Sequence, residues 1–289
     1  MAEVIGLREI IRQKRYSEGT KNTRIITITS GKGGVGKTNL TVNLAIAFSK
    51  LGEKTLVLDG DLGLSNANIV MGIIPSPKYN LSHVIKGEKK LREVIEEGPN
   101  GVKLISGASG VMKVADITGL KKKQLIEEIK ELGDMVDLIF IDTSAGLSHQ
   151  VLSFMLVADD IIVITSPEPT AIADAYSIIK AVISKSKEVD IKLVVNRIQS
   201  ILEGKRVAER LIEICSNFLG IKIENLGYIL EDAAVKNAVM QQQPFLLAYP
   251  KCKASYCIYH IRDKLANVKQ PPKGLVNFIK RLIFKEDEI

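Results

Sequence analysis

The sequence predicts an α/β fold, a mostly parallel sheet with helices on both faces, and three observations predict it. β-branched and apolar runs alternate with helix-like stretches from Arg24 onward, the pattern of strands joined by covering helices. The stretch Ser30-Gly31-Lys32-Gly33-Gly34-Val35-Gly36-Lys37-Thr38 joins the first such run to the first helix. It fits G-x-x-x-x-G-K-[ST], the phosphate loop. Carboxylates follow the apolar runs at Asp59 and Asp142, the strand ends beyond which such sheets bind their ligands.

A chain of 289 residues, 46% of them hydrophobic, can bury one large core. The economical division is an N-terminal extension over 1–23, a phosphate-loop domain over 24–268, and a linker with a C-terminal helix over 269–289. A net charge of +7 and a pI near 9.1 imply an anionic partner, membrane or nucleic acid, without choosing between them. No apolar leader follows Met1 and no run is long enough to cross a bilayer, so a cytoplasmic protein is expected. Cys215, Cys252 and Cys257 are an odd number, read as free thiols. The C-x₄-C spacing and the scattered His83, His149 and His260 signal no cysteine–histidine metal site.

Taken in order, residues 1–23 offer a helix with Leu7, Ile10 and Ile11 on one face and Arg8, Arg12, Lys14 and Arg15 elsewhere. It either docks a partner or packs on its own domain. Strands are expected at Ile25–Thr29, Thr55–Leu58, Val102–Ser106, Leu138–Ile141, Ile161–Thr165, Ile191–Val195 and Leu226–Leu230. Helices are expected at Asn39–Leu51, Leu120–Leu132, Ala171–Ser186 and Lys205–Phe218.

The loop carries the chemistry. Gly31, Gly33, Gly34 and Gly36 permit turns that a Cβ forbids, so that successive N–H groups, including that of Val35, can converge on one anion. The following helix adds its free N-terminal donors. Lys37 would reach the β- and γ-phosphates, and the Thr38 hydroxyl would ligate Mg²⁺. Lys32 alone reads either as a solvated charge or as a further part of the anion site.

Asp59 and Asp61, two apart beside the loop, suit steadying Mg²⁺ and orienting the attacking water, though acidic turns also follow strands for no such reason. Asp142 ends the apolar strand Leu138–Ile141 in a Walker B arrangement, where it would hold Mg²⁺ through a water. Val194-Val195-Asn196-Arg197-Ile198 lacks the N-K-x-D pattern whose Asp pairs with guanine, which favours ATP over GTP.

At the C-terminus, Pro271-Pro272 breaks any helix. Leu275, Phe278, Ile279, Leu282 and Ile283 then recur at helical spacing, with Lys280 and Arg281 elsewhere. Such a helix would lie in an anionic membrane interface, or pack on its own domain. Five large apolar side chains yield roughly 7–15 kcal/mol at full burial, and ordering a free tail costs about 1 kcal/mol or more per residue. One tail therefore binds weakly, and two on a dimer gain effective concentration.

Lys32-Gly33-Gly34-Val35-Gly36-Lys37-Thr38 resembles the deviant Walker A loop of the MinD/ParA superfamily. The resemblance implies an ATPase in which Lys32 crosses to the nucleotide of a second subunit, so that ATP and Mg²⁺ hold a homodimer. It further implies that Asp61, in a switch I-like stretch, positions the hydrolytic water with Asp59 near the metal, and that Asn196 and Arg197 contact adenine. Ala145-Gly146 resembles switch II. Asp61-Leu62-Gly63-Leu64-Ser65-Asn66-Ala67, the stretch from Pro167 to Tyr176, the N-terminal extension and the amphipathic tail most resemble the FlhG (FleN, YlxH) family, regulators of flagellar number and placement. That likeness implies peripheral attachment to the inner face of the cell membrane and a partner such as an FlhF-like GTPase or a basal-body component. Ala2, Glu3 and Val4 depart from that family's opening D-Q-A, which leaves stimulation of an FlhF-like partner open. The competing readings are a MinD-like division-site ATPase, a ParA-like DNA-partition ATPase, for which the apolar tail face has no use, and a non-hydrolysing scaffold.

Overall fold

The computed structural model of the chain describes residues 23–61, 66–107, 128, 131–187 and 189–267. Among them eight strands form one sheet: β1 (Arg24–Ser30), β2 (Thr55–Gly60), β3 (Ile95–Glu97), β4 (Lys103–Ile105), β5 (Leu138–Ala145), β6 (Asp160–Thr165), β7 (Ile191–Ile198) and β8 (Glu224–Leu230). The order is β3-β4-β2-β5-β1-β6-β7-β8, parallel throughout except for the antiparallel β3–β4 edge. The described helices are α1 (Lys37–Ser49), α2 (Ala67–Met71), α3 (Leu81–Lys86), α4 (His149–Val157), α5 (Pro169–Lys185), α6 (Ile201–Leu219), α7 (Ala233–Met240), α8 (Phe245–Ala248) and α9 (Lys253–Ala266).

The central strands are apolar on both faces because helices cover both. Ile26, Ile28, Phe140, Ile162 and Val194 pack under α1, α8 and α9, whereas Val163, Leu193 and Val195 pack with Ala175, Ile179 and Leu211 of α5 and α6. Helix α1 is buried on every side from Leu40 to Phe48, so it runs through the core rather than along its surface. It leaves β1 on one face, while α4, between β5 and β6, packs on the other. The crevice so formed opens at the carboxyl end of β1, where the phosphate loop lies.

Several expectations shift. Strands β2 and β5 run on through Asp59, Gly60, Asp142 and Thr143, because the parallel ladder continues there with Asp59 opposite Asp142 and Gly60 opposite Thr143. Helix α1 begins two residues earlier than expected, at Lys37, and α6 begins at Ile201. Strand β3 and helices α2, α3, α4, α7, α8 and α9 are not among the expected elements. Most of the helix expected over Leu120–Leu132, the helix expected within 1–23 and the tail with Leu275, Phe278, Ile279, Lys280, Arg281, Leu282 and Ile283 lie outside the described residues. No helix among the described residues is long and apolar enough to cross a membrane.

Candidate functional site

The loop between β1 and α1 is shaped for an anion. Gly34 and Gly36 take φ values of 77° and 99°, in the left-handed region that glycine tolerates. A Cβ on Gly36 would also lie 2.4 Å from Asn196 Nδ2, and one on Gly31 would lie 2.5 Å from the backbone of Asp174 in α5. Both glycines are therefore places where the loop is pressed against neighbouring elements. Gly33 and Gly34 face open space instead, with nothing within 4 Å of a Cβ built on either. The loop is clamped at its ends and exposed in the middle.

Helix α1 presents its N-terminus uncapped. Its N-cap is Gly36, no side chain accepts from its first turn, and that turn holds no acidic residue. By contrast α4, α6 and α7 are capped by Ser148, Ser200 and Asp232. The free N–H groups and positive end of the dipole thus remain for a ligand of negative charge.

Behind the loop, the carboxylates converge. Thr38 Oγ1 donates to Asp142 Oδ2 at 2.6 Å, so the hydroxyl and the carboxylate assigned to Mg²⁺ are already in contact. Asp142 is 3% exposed and Asp59 1%. Burial pushes the Asp142 carboxyl up to about 7, against the Thr38 hydrogen bond and with the added charge of Asp59. Asp59 turns its two oxygens to the backbone N–H groups of Asp61, at 3.0 Å, and Ala67, at 3.2 Å, and so ties down both ends of the segment expected to act as switch I. Burial lowers the pKa of Lys37, while Asp142 and Asp61 act to raise it, which places all three charges in one neighbourhood. Oxygen donors and a hydroxyl are the ligand set that Mg²⁺ takes, and the uncapped helix beside them fits a phosphate.

Lys32 and Asn196 take positions that the sequence did not predict. The Lys32 ammonium pairs with Glu168 and lies 3.2 Å from Thr170 Oγ1, both at the start of α5 in the same chain. Asn196 Nδ2 donates to the Val35 carbonyl at 2.7 Å, bracing the loop from β7. Arg197 has a φ of 59°, and its charge lies near enough to Glu168 to contribute to that carboxyl's lowered pKa, after the hydrogen bond and charge of Lys32. Glu168, Thr170 and Thr41 are site residues that sequence reading missed. The helical spacing of Thr38 and Thr41 was the signal for the last. A separate groove between Pro167 and the start of α6, lined by Gln199, Ser200, Leu202 and Arg206, contains no phosphate-loop residue.

The family model described as an AAA domain matches residues 23–195. The antiactivator FleN of Pseudomonas aeruginosa is 34% identical over 263 residues, 90% of this chain and 93% of that protein. The flagellum site-determining protein YlxH of Helicobacter pylori is 34% identical over 286 residues, 96% of each. Among solved structures, the septum site-determining protein MinD of Pyrococcus horikoshii complexed with Mg-ADP superposes with a TM-score of 0.68 at 28% identity, covering 85% of this chain and 96% of that one.

Proposed function

The chain belongs to the MinD/ParA superfamily of P-loop ATPases and within it is FlhG-like, and from this premise we propose an ATP-dependent dimerising switch that cycles on and off the membrane to regulate flagellar number or placement. The observation that carries the reading is the uncapped start of α1 behind a loop clamped at Gly31 and Gly36, with Thr38 already on Asp142.

In this reading the loop N–H groups and Lys37 hold the β- and γ-phosphates. Thr38, Asp59 and Asp142 hold Mg²⁺, and Asn196 and Arg197 border the base. The chemistry supplied by bound Mg²⁺ is neutralisation of charge on the phosphates. Asp61 would orient a water and take its proton as the water oxygen bonds to the γ-phosphorus, while the bond to the β-phosphate oxygen breaks and ADP leaves with that electron pair. Lys32, exposed on the loop, exchanges Glu168 for the nucleotide of a second copy. The dimer then presents two tails at once, and hydrolysis, acting slowly, resets the pair. The two similar proteins, an antiactivator and a flagellum site-determining protein, support the flagellar assignment.

Vesicle pelleting tests it, with anionic liposomes, with ATP, ADP or no nucleotide, and with the full chain and one ending at Lys273. Binding that needs both ATP and the tail is expected. Binding that is indifferent to either contradicts the switch, and ATP-dependent pelleting with DNA but not with liposomes would favour a partition ATPase.

A further inference from the structure

We propose that Thr41 is a positioning residue for the metal-site carboxylate: its buried hydroxyl holds Asp142 Oδ1 so that Oδ2 stays turned toward Thr38. The proposal rests on the reading of Asp142 as the Mg²⁺ carboxylate.

Thr38 and Thr41 stand three apart on α1, so both hydroxyls face the end of β5. Each takes one oxygen of the same carboxylate: Thr38 Oγ1 is 2.6 Å from Oδ2, and Thr41 Oγ1 is 3.3 Å from Oδ1. Thr41 Oγ1 also lies 3.0 Å from the carbonyl oxygen of Lys37, one turn back. A hydroxyl has a single proton, so the two acceptors share it. The back-bond to Lys37 selects one of the two side-chain rotamers open to a helical threonine, and that rotamer aims Oγ1 at Asp142. Thr41 is 0% exposed, so bulk water has no access to take its place.

Asp142 needs such a hold. The terminal torsion of an aspartate is broad, and Asp59 sits directly across the β2–β5 ladder, equally buried and of like charge. Backbone amides anchor both oxygens of Asp59. Among the described residues, the hydrogen bonds to the Asp142 carboxylate come from Thr38 and Thr41. Thr38 donates to Oδ2, so Thr41, with the proton it shares with the Lys37 carbonyl, is the side-chain donor described for Oδ1.

The test is Mg²⁺ titration of the ADP-bound full chain, read by fluorescent-nucleotide dissociation, beside metal-free ADP affinity. Thr41→Val, which keeps the shape and loses the hydroxyl, is expected to weaken Mg²⁺ binding roughly 10–100-fold, the scale of lost second-layer contacts. Metal-free ADP affinity should stay at the parent value, and Thr41→Ser should restore Mg²⁺ affinity. In an Asp142→Asn background Thr41→Val should add nothing. Parent-like Mg²⁺ affinity in Thr41→Val, or equal losses in the Val and Ser variants, would overturn the proposal. Should Thr41→Val fail to fold, Thr41→Ala and Thr41→Ser give the same comparison. Unchanged Mg²⁺ affinity in Asp142→Asn alone would instead sink the reading of Asp142.

Discussion

Lys32 gives its ammonium to Glu168 of its own chain, with Thr170 Oγ1 3.2 Å away. The lysine assigned to a second subunit's nucleotide is therefore engaged at home in the single chain. Both partners are well exposed, so the pairing is readily broken.

Lys32→Ala should accordingly leave thermal stability and ADP affinity at parent values, because Lys37 and the α1 N-terminus remain. It should abolish dimer formation with ATP. Sedimentation velocity with ATP and Mg²⁺ checks this, and dimers at the parent level would remove Lys32 from the interface.

The buried Asp142 makes stability depend on pH. Its folded value of about 7 lies above its ordinary 3.8, chiefly because burial disfavours the ion. The folded chain therefore favours the protonated acid. That contribution is full below about pH 4 and is lost as pH rises through about 7. Asp142→Asn stays neutral throughout. Without nucleotide, the Asn variant should gain melting temperature relative to the parent as pH rises through this window, while losing Mg²⁺-dependent nucleotide binding. A stability gap that does not change with pH would contradict the assignment.

A second ionic cluster lies at the amino ends of the strands, away from the loop. Asp160 accepts from Arg24 Nε at 2.6 Å and from Lys192 Nζ at 3.0 Å, and Lys192, itself 0% exposed, also reaches Asp190 and Glu224. Burial pushes the Asp160 carboxyl up, and the Arg24 and Lys192 charges outweigh it to hold the group below 3.8. The stabilisation is thus present above about pH 4 and lost as pH falls. Asp160→Ala removes the carboxylate that pairs with buried Arg24 and one of the three around Lys192, and should cost about 3–5 kcal/mol. Denaturant unfolding checks this, and ADP affinity in the folded fraction should not change. A loss under about 1 kcal/mol would mean that the cations find other partners.

The parallel sheet was legible because its central strands are runs of β-branched and apolar residues, and the phosphate loop because its glycines and Lys37-Thr38 follow β1 directly. Strand β3 was not, since Ile95–Glu97 is a three-residue edge with two glutamates. Helix α4, His149–Val157, is apolar enough to resemble a strand, and α9 hid the helical spacing of Ala254, Ile258, Ile261 and Leu265 among tyrosines and small residues. Lys192 is buried inside β7 among three carboxylates that come from other parts of the chain or lie beside it, a grouping that the strand pattern does not carry. The site's missing half has the same cause: Glu168 holding Lys32, Asn196 bracing Val35 and Thr41 on Asp142 are contacts between segments 101 to 161 residues apart. Local pattern does not record such distances.

The pairing of two chains through ATP is tested most directly by light scattering on an Asp61→Ala chain saturated with ATP and Mg²⁺, where hydrolysis cannot reset the switch. Scattering with ATP should give the mass of a dimer, falling to that of one chain when ADP replaces ATP. Single chains under both nucleotides would contradict it.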